Sequence, residues 1–192
     1  AGTGWRLHLP ALAGLLLMQA DMALLVRMAS ADAIGYYAVG LSLALAQVSL
    51  SNTLTQVSFP KIASRDHPDA HRYLSRQLLV AAPLMGGVGL VVMLASPMLI
   101  RVLFGSAFLP AVGVSRWLIG AILVWGWGQI IDHGFRAMGR SAPGVVASLL
   151  GLAVVLAMGP AWFGRAGITG MATVVLLAQA AVTTVLLAWL LI

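Results

Sequence analysis

The chain has 192 residues, of which 61% are hydrophobic and 8% charged, and its mean hydropathy is +1.00. A soluble domain carries roughly 25% charged residues, so this composition excludes a water-facing surface and indicates an integral membrane protein. The net charge of +6 does not indicate nucleic-acid binding, because the basic residues stand between apolar segments, and the absence of cysteine excludes disulfides and thiolate chemistry.

Six apolar segments, each bounded by charged residues, Gly or Pro, predict an all-α membrane protein that forms one six-helix bundle. Period-2 alternation is absent, which favours helices over a barrel. At ~1.5 Å of rise per residue, segments of this length cross a hydrocarbon core of ~30 Å. They cover approximately residues 7–28, 36–59, 77–99, 112–135, 143–163 and 168–192.

The first segment contains Asp21, a carboxylate that costs a few kcal/mol inside a bilayer unless it is paired or hydrated. Two interpretations stay open for it: a site for a coupling ion or proton, and a structural group hydrogen-bonded to a neighbouring helix. We do not interpret the segment as a signal peptide, because Asp21 and Arg27 interrupt it and five further spans follow.

The second segment has no charge between Tyr36 and Phe59, yet one face of it is polar. At 100° per residue, five polar side chains fall within about 100° of arc. Lipid would leave such groups unsatisfied, so we expect them to face neighbouring helices or a water-filled cavity, a pattern typical of transport proteins. The five are Ser42, Ser49, Asn52, Thr53 and Gln56.

The distribution of basic residues predicts the orientation. If the N-terminus is cytoplasmic, seven basic residues lie inside and four lie outside, so the positive-inside rule places both termini in the cytoplasm. The largest contribution comes from the predicted loop 61–76. The inside set is Arg6, Lys61, Arg65, Arg72, Arg76, Arg136 and Arg140, and the outside set is Arg27, Arg101, Arg116 and Arg165.

The fourth segment has a second polar face, which contains Trp125, Gln129, Asp132, His133 and Arg136. Asp132 and Arg136 are four residues apart and can pair, for about 0.3–0.5 kcal/mol if exposed and more if enclosed. Two interpretations stay open for Arg136: an interfacial anchor that extends to the lipid headgroups, and part of a cavity wall that contacts phosphate.

Five short motifs follow one another in order along almost the whole chain. They are IGYYA at 34–38, FPKIA at 59–63, PMLIRVLFG at 97–105, FRAMGR at 135–140 and GRAGITG at 164–170. In this order and spacing the sequence resembles the carboxy-terminal half of polysaccharide-biosynthesis flippases. These belong to the multidrug/oligosaccharidyl-lipid/polysaccharide exporter superfamily, which includes the O-antigen flippases of lipopolysaccharide synthesis.

The resemblance implies a MATE-like transporter of two six-helix bundles that works by alternating access in the bacterial inner membrane. This chain would be the second bundle, a fragment that lacks the N-terminal one. The implied substrate is a polyprenyl-pyrophosphate-linked oligosaccharide, whose headgroup enters a cationic cavity, and the coupling ion would be H⁺ or Na⁺. Membrane lipids are the other expected partners.

We therefore expect a flippase and not an enzyme, with no catalytic residues, no metal site and no cofactor. The alternatives are a drug or cation antiporter of the same superfamily, which would have an acidic cavity, a non-transporting membrane scaffold and an integral-membrane enzyme. Asp21 is the ion-coupling candidate. The substrate-binding candidates are Ser49, Asn52, Gln56, Trp125, Gln129, Asp132 and Arg136.

Overall fold

The computed structural model describes residues 4–191, with side chains for 12–66 and 68–191. This part of the chain is helical and contains no strand, which confirms the all-α prediction. A short 3₁₀ turn, Ser106–Phe108, precedes α5. The helices are α1 Gly4–Met28, α2 Ala31–Leu45, α3 Val48–Ala63, α4 His67–Leu103, α5 Ala111–Ala137 and α6 Ala142–Leu191.

Four helical segments within the described residues are long and apolar enough to cross a membrane. This agrees with the prediction of a membrane protein, and the outer face of α4 fits it, since Leu79, Leu94 and Val102 are 76%, 68% and 71% exposed. A bilayer provides the apolar surroundings that such side chains need. The segments are Ala31–Ala63, Pro68–Leu103, Ala111–Ala137 and Ala142–Leu191.

The second predicted segment, 36–59, is not one continuous helix. It is broken between α2 and α3, where the N–H groups of Ala46 and Gln47 donate to the carbonyls three residues earlier instead of four. The Gln47 side chain is buried, and its amide nitrogen donates to the carbonyl oxygen of Ile119 at 3.5 Å. The break therefore occurs where a polar side chain of this span is anchored to α5.

The predicted loop 61–76 is also shorter than expected, because α4 begins at His67 and not near Gln77. Pro68 stands in the first turn of α4, where its missing N–H and fixed φ favour a helix start. Asp69 in the same turn complements the helix dipole and pairs with Arg72 at 3.2 Å. Local helix-start signals thus extend α4 beyond the apolar segment.

Helix α6 is a hairpin of two antiparallel halves, 142–165 and 168–191. Its 50 residues contain non-helical backbone angles at Ala166 and Gly167, and the φ of 58° at Gly167 is one that glycine adopts readily. A Cβ placed on Gly151 would lie 2.6 Å from Val182, and one on Gly159 would lie 3.3 Å from Met171. This pairing agrees with the predicted division between 163 and 168.

Helix α5 lies at the centre of the fold. It packs against α2, α3, α4 and α6, and α1 packs against α6. Since apolar burial does not drive helix association in lipid, close packing at small residues becomes important. Gly126 of α5 contacts Ser51 and Met85, so α3, α4 and α5 meet at this point. The central position makes α5 the helix whose polar face can be reached from two sides.

Candidate functional site

The polar face of α5 contains a charge pair. The guanidinium of Arg136 donates to Oδ2 of Asp132, as the four-residue spacing predicts. Asp132 is 5% exposed, whereas the Arg136 side chain is 29% exposed. Within the described structure, Oδ1 of Asp132 and Nε of Arg136 have no hydrogen-bond partner. The pair therefore keeps a buried acceptor and a buried donor available.

The carboxylate of Asp132 lies against the first turn of α6. A Cβ added to Gly144 would overlap with Oδ1 of Asp132, so only glycine allows this approach. The N-terminal end of a helix has a partial positive charge, which favours a nearby anion. Asp132 is thus held as a carboxylate by Arg136 on one side and by the start of α6 on the other.

A small polar cavity lies between α5 and the two halves of α6. It offers about 20 Å³ to a water-sized body, and Gln129, Asp132, Ser148 and Gln179 provide its polar lining. Oε1 of Gln179, which is 4% exposed, also has no partner among the described residues. Two unpartnered acceptors around a space for one water favour a donor there: a water molecule, a proton or a cation.

A second cleft, of about 380 Å³, lies on the opposite side of α5 and is formed with α3. Asn52, Gln56 and Phe59 line it from α3, and His133 lines it from α5. Nδ1 of His133 lies 2.8 Å from the carbonyl oxygen of Gln129 on the same helix. On the helical wheel, Trp125, Gln129 and Arg136 fall between Asp132 and His133, so this half-exposed stripe separates the two clefts.

The predicted polar stripe of the second segment is exposed. Its members Ser42, Ser49, Asn52, Thr53 and Gln56 are not covered by any helix of the described chain. The hydroxyl of Ser42 donates to the carbonyl of Ala38 at 2.8 Å, and that of Thr53 to the carbonyl of Ser49 at 2.9 Å. Contact with neighbouring helices of this chain is therefore not what satisfies the stripe, and a water-filled cavity stays a prediction.

The sequence analysis missed a second polar face on the same segment. Gln47, Ser51, Thr55 and Ser58 are buried between α3, α4 and α5. Spacings of four, four and three residues could have revealed this face, because they repeat at helical period. It was hidden because α3 has polar side chains around most of its circumference.

Asp21 has a different environment. The hydroxyl of Tyr37 donates to its Oδ2, and both residues are buried, at 5% and 0% exposure. The contact joins α1 to α2, which fits the structural interpretation of Asp21, while its role in ion coupling stays a prediction. Within the described side chains, no group of three or more His or Asp residues is arranged to hold a metal ion.

Of the predicted substrate-binding residues, the structure brings together two sets. Trp125, Gln129 and Asp132 line the cavity towards α6, and Asn52 and Gln56 line the cleft towards α3. The α5 stripe connects these sets at Arg136. Ser49 is exposed one turn before Asn52 on α3.

Comparison with known proteins gives one match. Residues 2–113 match the model of a family described as polysaccharide biosynthesis protein. The match covers more than half of the chain, from α1 to the first turn of α5, so it includes Asn52 and Gln56 but not the polar face of α5. No curated protein and no solved structure matched the chain.

Proposed function

This chain belongs to the polysaccharide biosynthesis protein family, and we propose that it moves a polyprenyl-pyrophosphate-linked oligosaccharide across the bacterial inner membrane. It would act as one six-helix bundle of a two-bundle, MATE-like flippase that works by alternating access. Together with α1 and the joined α2–α3 span, α4, α5 and the two halves of α6 provide the six spans of such a bundle.

The observation that supports this proposal is the half-exposed stripe of α5, which places Arg136 between two polar clefts. A guanidinium binds phosphate oxygens through a fixed planar fork of donors. Asp132 occupies one terminal nitrogen of Arg136, and its Nε keeps a donor free of any partner in the described structure. A pyrophosphate headgroup would compete with Asp132 for this arginine.

This competition suggests how transport is coupled. Protonation or Na⁺ binding at Asp132 would weaken its hold on Arg136 and free the guanidinium for the headgroup. We propose that the coupling ion binds there, because Oδ1 of Asp132 and Oε1 of Gln179 are unpartnered acceptors at one cavity. Asp21 is the alternative, and ion binding at Asp21 requires that Tyr37 release it.

The test replaces Arg136 by Lys and by Gln in the full-length protein. Arg136→Lys keeps the charge but loses the planar fork, so it should lose most of the flipping activity. Arg116→Lys, at an exposed arginine near the other end of α5, is the matched control and should stay active. Flipping of the lipid-linked substrate is measured with membrane levels of each variant in parallel.

Two results would contradict a role in headgroup binding. Equal activity of Arg, Lys and Gln at position 136 would exclude it. Loss of activity in the Gln variant alone would show that only a positive charge is needed, as expected of an arginine that extends to the lipid headgroups.

We also propose that both termini are cytoplasmic, since the basic residues between α3 and α4 favour that side. A reporter fused after Ser64, in the loop between these helices, should be active only in the cytoplasm. Periplasmic activity at this position would reverse the orientation and remove the entry side proposed for the substrate.

The second candidate function is export of a drug or cation. The buried Asp132 carboxylate, with one oxygen unpartnered, is the observation that favours it. An exporter of cations should lose transport of a cationic dye in the Asp132→Asn variant, whereas a flippase should show no such transport in any variant.

A further inference from the structure

An apolar groove of about 460 Å³ lies between α3 and α4, away from the two polar clefts of α5. Leu54 and Val57 of α3 form one wall, and Val80, Ala81 and Leu84 of α4 form the other. Val57 is 54% exposed and Val80 is 70% exposed, so the groove is open along its length. A bilayer would fill such a groove with hydrocarbon.

The depth of the groove matches one leaflet. Along α4 it extends from Tyr73 to Leu84, which at ~1.5 Å per residue is about 16 Å, about half of a hydrocarbon core of ~30 Å. The next depression along α4, at residues 83–92, is lined by α4 alone and has no second wall. A chain held by both helices therefore ends near the middle of the bilayer.

The end of the groove nearest the 64–66 loop is cationic. Arg76 lines it directly, and the guanidinium of Arg65 lies 4.4 Å from the ring centroid of Tyr73, which also lines it. In the described structure neither arginine forms an ion pair, and the nearby acid Asp69 is taken by Arg72. Two uncompensated guanidinium groups thus stand where an apolar chain of leaflet length ends.

The two walls are joined at this end by Gln77, whose amide nitrogen donates to the carbonyl oxygen of Leu54 at 3.2 Å. This bond crosses from α4 to α3 beneath the cationic end. It keeps the walls at a fixed separation, so the groove is a built feature of the fold and does not depend on an occupant to hold it open.

We propose that this groove binds an anionic phospholipid of the adjoining leaflet, with one acyl chain between α3 and α4 and the phosphate at Arg76 and Arg65. The groove has the leaflet depth of an acyl chain, and the arginines have the charge and the hydrogen-bond donors that a phosphodiester requires. A neutral or zwitterionic lipid would gain much less from the same arginines.

The test measures lipid binding by native mass spectrometry of the purified full-length protein with phosphatidylglycerol or phosphatidylcholine. The wild-type protein should retain phosphatidylglycerol in preference. Val57→Trp fills the groove and should remove that preference, whereas Leu94→Trp, on the exposed face of α4 outside the groove, should preserve it. Arg76→Gln should weaken phosphatidylglycerol binding about fivefold, the effect of one basic residue near an anionic headgroup.

Equal retention of the two phospholipids, or unchanged retention in both Val57→Trp and Arg76→Gln, would overturn the proposal. Displacement of phosphatidylglycerol by polyprenyl phosphate at much lower concentration would also overturn it, because the groove would then hold the tail of a transport substrate. Since binding is measured without transport, these results are independent of the proposed flippase activity.

Discussion

Asp21 and Asp132 are equally buried, at 5% exposure each, yet their surroundings differ in a way that separates structure from function. Asp21 accepts a hydrogen bond from the neutral hydroxyl of Tyr37, a residue of another helix. Asp132 accepts from the charged guanidinium of Arg136, a residue of its own helix, and keeps one oxygen without a partner. Burial alone does not distinguish the two carboxylates, but the identity and location of their partners do.

The location of the partner decides what happens when each contact breaks. Separating Tyr37 from Asp21 loosens α1 from α2, so this bond contributes to the fold. Separating Arg136 from Asp132 leaves all helices where they are, since both residues are on α5. A contact within one helix can therefore exchange its partner for a ligand without an unfolding cost, as binding of a headgroup or ion requires.

The largest effect is expected for Asp132→Ala, which leaves the partly buried guanidinium of Arg136 without an anion. Breaking a fully buried pair costs about 3–5 kcal/mol, and the 29% exposure of Arg136 puts this variant at the lower end of that range. The measurement is the midpoint of thermal unfolding in detergent.

The double variant Asp132→Ala/Arg136→Ala is the control, because it removes the unpaired charge and should recover most of the loss. If the single and double variants are equally unstable, the pair makes no specific contribution.

The next largest effect is expected for Gly144→Ala. Its Cβ would occupy the position of Oδ1 of Asp132 and push the carboxylate away from Arg136, at a cost of about 2–3 kcal/mol. Gly113→Ala on α5 is the control, because a Cβ there meets nothing within 4 Å.

The cost of Gly144→Ala should disappear in an Asp132→Ala background. A cost that persists there would mean that the new methyl group clashes with the backbone and not with the carboxylate.

The sequence was sufficient to predict which segments are helical, because long apolar runs bounded by charge and Gly have few other solutions in a membrane. It also predicted the pairing of Asp132 with Arg136, since both lie on one helix and the spacing alone sets their proximity. It did not predict the break at Ala46–Gln47, which depends on Gln47 bonding to Ile119 of α5. Nor did it predict Gly144 beside Asp132 or Tyr37 beside Asp21, because contacts between helices depend on their packing.

A smaller effect is expected for Tyr37→Phe, which removes the donor to Asp21. Side-chain hydrogen bonds between membrane helices contribute about 0.6 kcal/mol on average and up to about 1.7 kcal/mol, so we expect a loss in this range at the unfolding midpoint. Tyr36→Phe is the matched control, since the Tyr36 ring packs edge-on against Phe108 and keeps this contact without its hydroxyl. Equal loss in both variants would show that the Asp21 contact has no special weight.

The smallest effect on stability is expected for Asp21→Asn, and it separates the two interpretations of this residue. The amide oxygen of Asn can accept the hydrogen bond from Tyr37, so the unfolding midpoint should change by less than about 1 kcal/mol equivalent. If Asp21 is structural, transport should persist as well, because no charge is needed at this position. If Asp21 is the coupling-ion site, transport should collapse while stability is preserved, since an amide can neither exchange a proton nor neutralise Na⁺. Flipping activity and unfolding midpoint are measured on the same preparation, with Asp132→Asn in parallel. Loss of transport in Asp132→Asn with retention in Asp21→Asn is the result that we expect, and the reverse pattern would move the coupling ion from α5 to the α1–α2 contact.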